Sequence, residues 1–116
     1  MTVRLGLLGA GRIGKVHAAA IAAVPGARLV AVADAFPDAA KALAASTGAE
    51  VREADAIMAA SDIDAVLITT PTDLHATMIE QAAKAGKAIF CEKPIDLDVQ
   101  RVRDCLAVVA KAGVPL

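Results

Sequence analysis

The chain has 116 residues, a formal net charge of −1 and a hydrophobic fraction of 57%. That length supports one domain with a modest core, not two. The near-neutral charge excludes a broad basic surface for nucleic acid or anionic membrane, and no apolar run approaches the ~20 residues of a membrane span.

Much of the apolar content is alanine. There is no tryptophan or tyrosine, and Phe36 and Phe90 are the only phenylalanines. The core must therefore be built from Ala, Val, Ile and Leu, which suits close packing of helices on a sheet. Cys91 and Cys105 have no metal-ligand spacing and form no Cys-x-x-Cys pair. They read as two reduced thiols of a cytoplasmic protein, with no metal expected.

The opening MTVRLGLLGAG superficially resembles a signal peptide, but Arg12 and Lys15 cut its apolar run short. It reads as a strand, Val3–Leu8, and a turn. In that turn Gly9-Ala10-Gly11-Arg12-Ile13-Gly14 fits G-x-G-x-x-G, directly after the strand and opening a helix over Arg12–Val24. Gly9 allows a tight turn, Gly11 lets a pyrophosphate approach the backbone, and Gly14 lets the helix pack close to the sheet. Free amides around Arg12 and Ile13, at the positive end of the helix dipole, suit phosphate. His17, inside this helix, reads as a packing residue or a local hydrogen bond.

Pro25-Gly26 stops the helix, and a second strand is expected at Arg28–Ala33. Asp34 follows it, 20 residues after Gly14. A carboxylate there can accept hydrogen bonds from both hydroxyls of an adenosine ribose. It would repel the 2′-phosphate of NADP, and Ala35 and Phe36 supply no base to offset that. The expected cofactor is NAD.

Helices are expected at Pro37–Ser46 and Ala54–Ala60, around a weaker strand at Ala49–Val51. A strand at Ala65–Thr69 then leads into Thr69-Thr70-Pro71-Thr72-Asp73-Leu74-His75 and a helix over Asp73–Ala85. Pro71 bars the strand from continuing, and Thr72 or Asp73 is suited to cap the helix. His75 has two readings of equal weight, contact with a nicotinamide ribose or simple surface packing. The strand Ala88–Cys91 follows, then Glu92-Lys93-Pro94. Asp96-Leu97-Asp98 opens a last helix, Val99–Ala112, which Gly113 ends, and Val114-Pro115-Leu116 reads as the beginning of another strand.

Strands separated by helices imply parallel pairing through right-handed crossovers. The fold class is thus α/β: an open, doubly wound, mostly parallel Rossmann sheet with helices on both faces. Residues 1–116 form one dinucleotide-binding domain. Ligands of such sheets sit at the carboxyl ends of the strands, where Gly9, Asp34, Thr70 and Lys93 all fall.

Three stretches carry a family resemblance: Gly9–Gly14, then Thr70–His75, then Cys91-Glu92-Lys93-Pro94-Ile95. Together they resemble the glucose–fructose oxidoreductase, inositol dehydrogenase and rhizopine-catabolism oxidoreductase family. The resemblance covers the whole chain but only the family's amino-terminal half. CEKPIDLD is most similar to the inositol 2-dehydrogenase branch. The resemblance implies an NAD-dependent oxidoreductase that takes hydride from a polyol or sugar CH–OH. It implies Lys93 as the catalytic residue, beside the nicotinamide and touching the substrate hydroxyl. Glu92 would lie near the nicotinamide, and Pro94 would fix the turn that aims the lysine. An ammonium at that place can hold the carbinol oxygen and stabilise the negative charge that develops as its proton leaves.

In this family a second half supplies an antiparallel sheet, with an aspartate and a histidine that complete the proton relay. The chain is therefore expected to be a truncated piece that binds cofactor without turnover and self-associates as a homo-oligomer through bared apolar surface. The choice of polyol is left open. So are two alternatives: a free-standing dinucleotide-binding module, and another sugar dehydrogenase or reductase of the same family.

Overall fold

The computed structural model describes residues 1–116. Strands and helices alternate along the chain: β1 (Val3–Leu8), α1 (Arg12–Ala22), β2 (Ala27–Ala33), α2 (Pro37–Thr47), β3 (Glu50–Val51), α3 (Ala54–Ala59), β4 (Ala65–Ile68), α4 (His75–Lys84), β5 (Ala88–Cys91) and α5 (Val99–Ala112). Apart from the strand expected to begin at Val114, every expected element is present, with ends within two residues of expectation. All pairings are parallel. The order β3-β2-β1-β4-β5 reverses direction between β1 and β4, and that switch point is where such sheets open a crevice.

Alternate side chains along each strand feed two cores. Leu7, Val32 and Leu67 point to one face, where Ala18 and Ile21 of α1 and Leu43 of α2 cover them. Leu8, Val66 and Ile68 point to the other, under Ile57 of α3, Ile79 of α4 and Cys105 of α5. Leu7, Ile57 and Ile79 are fully buried, each worth roughly 1.5–3 kcal/mol of transfer free energy. Buried alanines, Ala18 in α1 and Ala76, Ala82 and Ala83 in α4, let those helices sit close to the sheet. Desolvation raises both thiols, Cys91 to about 12, so neither is a thiolate at neutral pH.

Two details differ from expectation. The fourth long helix begins at His75, after a single 3₁₀ turn at Thr72–Leu74. Neither Thr72 nor Asp73 caps a helix with its side chain; the tight turn itself satisfies the Leu74 amide, which donates to the Pro71 carbonyl at 3.0 Å. At the chain's end, Val114–Leu116 is not a regular strand. Its Pro115 carbonyl nevertheless accepts the Ile89 amide of β5 at 2.9 Å. By contrast, Asp98 caps α5 as its position suggests, accepting the Gln100 amide at 2.9 Å.

Candidate active site

Three turns leave the sheet at one level. The Gly9 amide donates to the Ala33 carbonyl at 2.8 Å, the Thr69 amide to Leu8 at 2.8 Å and the Glu92 amide to Ile68 at 3.0 Å. Each bond extends the ladder by one residue past a strand end. The glycine turn, the Thr70 turn and the lysine turn are thereby set side by side on the carboxyl edge.

The glycine turn is shaped by what its residues lack. Gly9 has φ +107°, and a Cβ there would lie 2.5 Å from the Thr69 carbonyl oxygen. A Cβ on Gly14 would collide with the Gly9 carbonyl oxygen. Together they bring α1 down onto the strand ends. The Thr69 hydroxyl fastens the turn from beneath, donating to the Gly9 carbonyl at 2.7 Å. Gly11 is different: a Cβ there would meet nothing within 4 Å. It faces open space over the helix end. No side chain caps α1, and its first turn carries no acid. The amides of Arg12, Ile13 and Gly14 therefore have no intrahelical acceptor, and the exposed Arg12 and Ile13 flank them. This cradle fits a pyrophosphate.

Asp34 is half-buried beside that cradle. One carboxylate oxygen accepts the Ala10 amide at 2.6 Å and the other accepts the Phe36 amide at 2.8 Å. The acid thus braces the glycine turn as well as its own. Two carboxylate oxygens offer about four acceptor positions, so capacity remains for ribose hydroxyls. Ala35 and Phe36 are exposed and uncharged.

Lys93 stands at the end of β5, exposed, with no acceptor for its ammonium. The Lys93–Pro94 peptide is cis. Glu92 does not stand free: one carboxylate oxygen lies 2.8 Å from Nε2 of His17, and the other accepts the Lys93 amide at 3.3 Å. The hydrogen bond from His17 holds the Glu92 carboxyl below its ordinary value, with help from the Lys93 amide. His17 also meets Phe90 edge-on, with centroids 5.0 Å apart. Spacing along the chain gives no hint of a pair 75 residues apart. A usable signal existed all the same: His17 lies three residues after Gly14, on the helical face that must abut the strand ends.

His75 is neither a surface residue nor open to a ligand. It is 2% exposed. Nδ1 lies 2.7 Å from the Pro94 carbonyl and Nε2 lies 2.8 Å from the Thr70 carbonyl. Both ring nitrogens are engaged by backbone, which leaves none for a cofactor. The Thr70 hydroxyl turns inward toward the Met78 sulfur, while Pro71 is exposed on the rim and Thr72 half-exposed. A surface depression of about 570 Å³ lies elsewhere, around Lys87 at the opposite end of β5.

Residues 3–116 match the oxidoreductase family with an NAD-binding Rossmann fold, Gfo/Idh/MocA. The chain belongs to this family. It is similar to an inositol 2-dehydrogenase of Rhizobium meliloti (strain 1021), 71% identical over 110 residues, covering 95% of this chain and 33% of that protein. Among solved structures it matches a Sinorhizobium meliloti 1021 protein assigned as a myo-inositol dehydrogenase, with TM-score 0.98 and 68% identity over 99% of this chain and 35% of that one. It also matches a scyllo-inositol dehydrogenase from Lactobacillus casei with bound NAD(H) and scyllo-inositol, with TM-score 0.91 and 36% identity over 97% and 34% of the two chains. The chain thus spans about a third of the length of these relatives.

Proposed function

We propose that this chain is the cofactor-binding part of an NAD-dependent inositol 2-dehydrogenase, which oxidises one ring CH–OH of a polyol to a ketone. The observation that carries the reading is the company Lys93 keeps. An unpartnered ammonium stands on the same sheet edge as an uncapped helix end and a ribose-suited carboxylate. Identity of 71% to an inositol 2-dehydrogenase supports a cyclic polyol as the substrate class.

The residues divide the work. The open amides of Arg12, Ile13 and Gly14 hold the pyrophosphate. Asp34 accepts the ribose hydroxyls and disfavours a 2′-phosphate, so NAD is taken over NADP. Bound NAD supplies the hydride acceptor for the carbon-bound hydrogen. Lys93 donates a hydrogen bond to the carbinol oxygen and stabilises the charge left when the hydroxyl proton departs. One C–H pair of electrons leaves with its hydrogen as hydride, the O–H proton passes to a base, and the C=O bond forms.

Two measurements test this. Calorimetry on the 116-residue chain should show NAD binding more tightly than NADP. A full-length protein carrying this chain should reduce NAD when given myo-inositol or scyllo-inositol, read as NADH absorbance, while the 116-residue chain alone shows no steady turnover. A full-length protein that binds NAD but oxidises no polyol would establish a binding module instead.

A further inference from the structure

We propose that His17 and His75 are positioning residues for Lys93, holding the residues immediately before and after it from two different helices. This rests on the reading of Lys93 as the group that meets the reacting hydroxyl. Lys93 itself is exposed, and no side-chain contact aims it. Its direction is set by the backbone of residues 92–94, and both flanks of that backbone end on a histidine.

On the amino side the link runs from helix to carboxylate to amide. His17 of α1 meets one oxygen of Glu92 at 2.8 Å, and the other oxygen takes the Lys93 N–H at 3.3 Å. His17 is itself steadied by the edge of Phe90, two residues back along β5 from Glu92. The same helix offers the phosphate cradle at its amino end, less than two turns from His17, so cofactor and lysine share one rigid reference. On the carboxyl side, Nδ1 of His75 meets the Pro94 carbonyl at 2.7 Å. Its Nε2 meets Thr70 in the neighbouring turn at 2.8 Å. His75 therefore ties the lysine turn to the rim beside it.

Geometry of this kind matters because a misplacement of about 1 Å in a catalytic group costs on the order of 100-fold in rate. Histidines that only filled space would not need to reach Glu92 and Pro94, the two neighbours of Lys93, from α1 and α4. A histidine also spans such gaps well: it is rigid, with two polar atoms on opposite sides of one ring.

The test uses the full-length enzyme. His17→Phe keeps an aromatic ring against Phe90 but removes the bond to Glu92. The expected result is a kcat at least tenfold lower, with KM for NAD and the NAD dissociation constant within threefold. His17→Gln, which can still donate to Glu92, should recover most of the loss. Hydrogen exchange in the cofactor-free protein supplies a readout apart from activity: the Glu92, Lys93 and Ile95 amides should exchange faster in His17→Phe, while β1 is unchanged. His75→Gln, which retains a donor in the buried site, should show the same kcat-specific loss.

The deciding arm is the Lys93→Ala background. If both histidines act through Lys93, His17→Phe and His75→Gln add little to the loss there. Equal fold-losses with and without the lysine would overturn the proposal, as would a His17→Phe enzyme with normal kcat and unchanged exchange. If Lys93→Ala itself leaves kcat intact, it is the catalytic reading of Lys93 that has failed, and the bracket fails with it for that separate reason.

Discussion

Lys87 and Lys93 flank the same four-residue strand, β5, and are treated in opposite ways. Lys87, at the amino end, is 6% exposed. Its ammonium donates to the Ala60 carbonyl at 2.6 Å and the Ile63 carbonyl at 2.8 Å. These acceptors lie at the end of α3 and in the turn before β4, so the lysine satisfies carbonyls that the helix end leaves open. Lys93, at the carboxyl end, is exposed and touches no acceptor. The rest of each edge follows the same division. Near Lys87, Arg4 grips Asp64; near Lys93, α1 has no cap. The amino edge answers its cations with its own acceptors, whereas on the carboxyl edge the Lys93 ammonium and the first amides of α1 stay open. A cation whose hydrogen bonds end on its own backbone holds the fold, whereas one whose donors are open is available for chemistry.

The sharpest way to break this contrast is to exchange the losses. In the full-length enzyme Lys93→Ala should lower kcat roughly 10²–10³-fold, as removal of a donor aimed at a developing oxyanion does. NAD affinity should stay within threefold, and thermal stability should barely move, as for an exposed side chain. Steady-state kinetics beside a melting curve checks both halves. A Lys93→Ala enzyme that melts early but turns over normally would reverse the roles assigned to the two lysines.

Asp34 sits between the two extremes, since it braces the fold and faces the ligand. Asp34→Ala removes the carboxylate proposed to accept hydrogen bonds from the ribose hydroxyls, and losing one such charge-assisted bond costs about 1.5–3 kcal/mol. NAD affinity should therefore fall on the order of 10–100-fold. NADP should lose less, because the repulsion of its 2′-phosphate goes too. Calorimetry with both cofactors measures the gap; an unchanged NAD/NADP ratio would show that Asp34 serves only the turn, through the Ala10 and Phe36 amides.

Features written locally in the chain were legible before the structure. Gly9, Gly11 and Gly14 lie within one turn, Asp34 follows at a fixed interval, and Glu92-Lys93-Pro94 closes a short apolar strand. Each signal needs only neighbours in sequence. What could not be read was who meets whom across the sheet. The His17–Glu92 pair, the two carbonyls on His75 and the seat of Lys87 are set by strand order and helix depth, which no single segment specifies. The start of α4 was misread for a related reason. Thr72 and Asp73 have the right chemistry for a cap, but Pro71 feeds a 3₁₀ turn that satisfies the backbone without them.

Lys87→Met sharpens the comparison from the other side. It keeps the stem and removes the donors, leaving two carbonyls unanswered. An unsatisfied buried acceptor costs about 1–3 kcal/mol. Ala60, Ile63 and Lys87 line a surface depression, so a loss near the low end, about 1 kcal/mol, is expected. Denaturant unfolding measures it; kcat and NAD affinity should be unchanged. Raising the pH should have the opposite sign in the wild type. Burial lowers the Lys87 pKa below 10.5, so the unfolded chain binds the proton more tightly. Stability should then rise as pH climbs toward 10.5, and a neutral amine still has two donors for the two carbonyls. Lys87→Met should lose that alkaline gain.

The smallest expected effect lies on the acid side and comes from ion pairs at the surface, exposed or half-buried. Arg4 meets both carboxylate oxygens of Asp64, at 3.2 and 3.0 Å, and donates its own amide as well at 2.8 Å. The guanidinium pulls Asp64 down to about 2. Arg52 forks onto Asp62 at 2.9 and 2.8 Å and brings it to about 2 in the same way. Glu80 is lowered by its two bonds from Arg101, which join α4 to α5. Each folded value lies below the ordinary one, 3.8 for the aspartates and 4.5 for the glutamate. The unfolded chain therefore takes up protons first as the pH falls. The stabilisation is fully present above about 4.5 and is lost as the pH drops through 3.8 toward 2. Melting temperature measured from pH 6 to pH 2 should follow that course. The aspartate share should shrink in 1 M salt, where the screening length is about 3 Å. Asp64→Asn combined with Asp62→Asn should flatten the lower part of the curve while leaving the Glu80 step in place. A double variant that declines as steeply as the wild type would show that these ion pairs, for all their close geometry, are not what acid undoes.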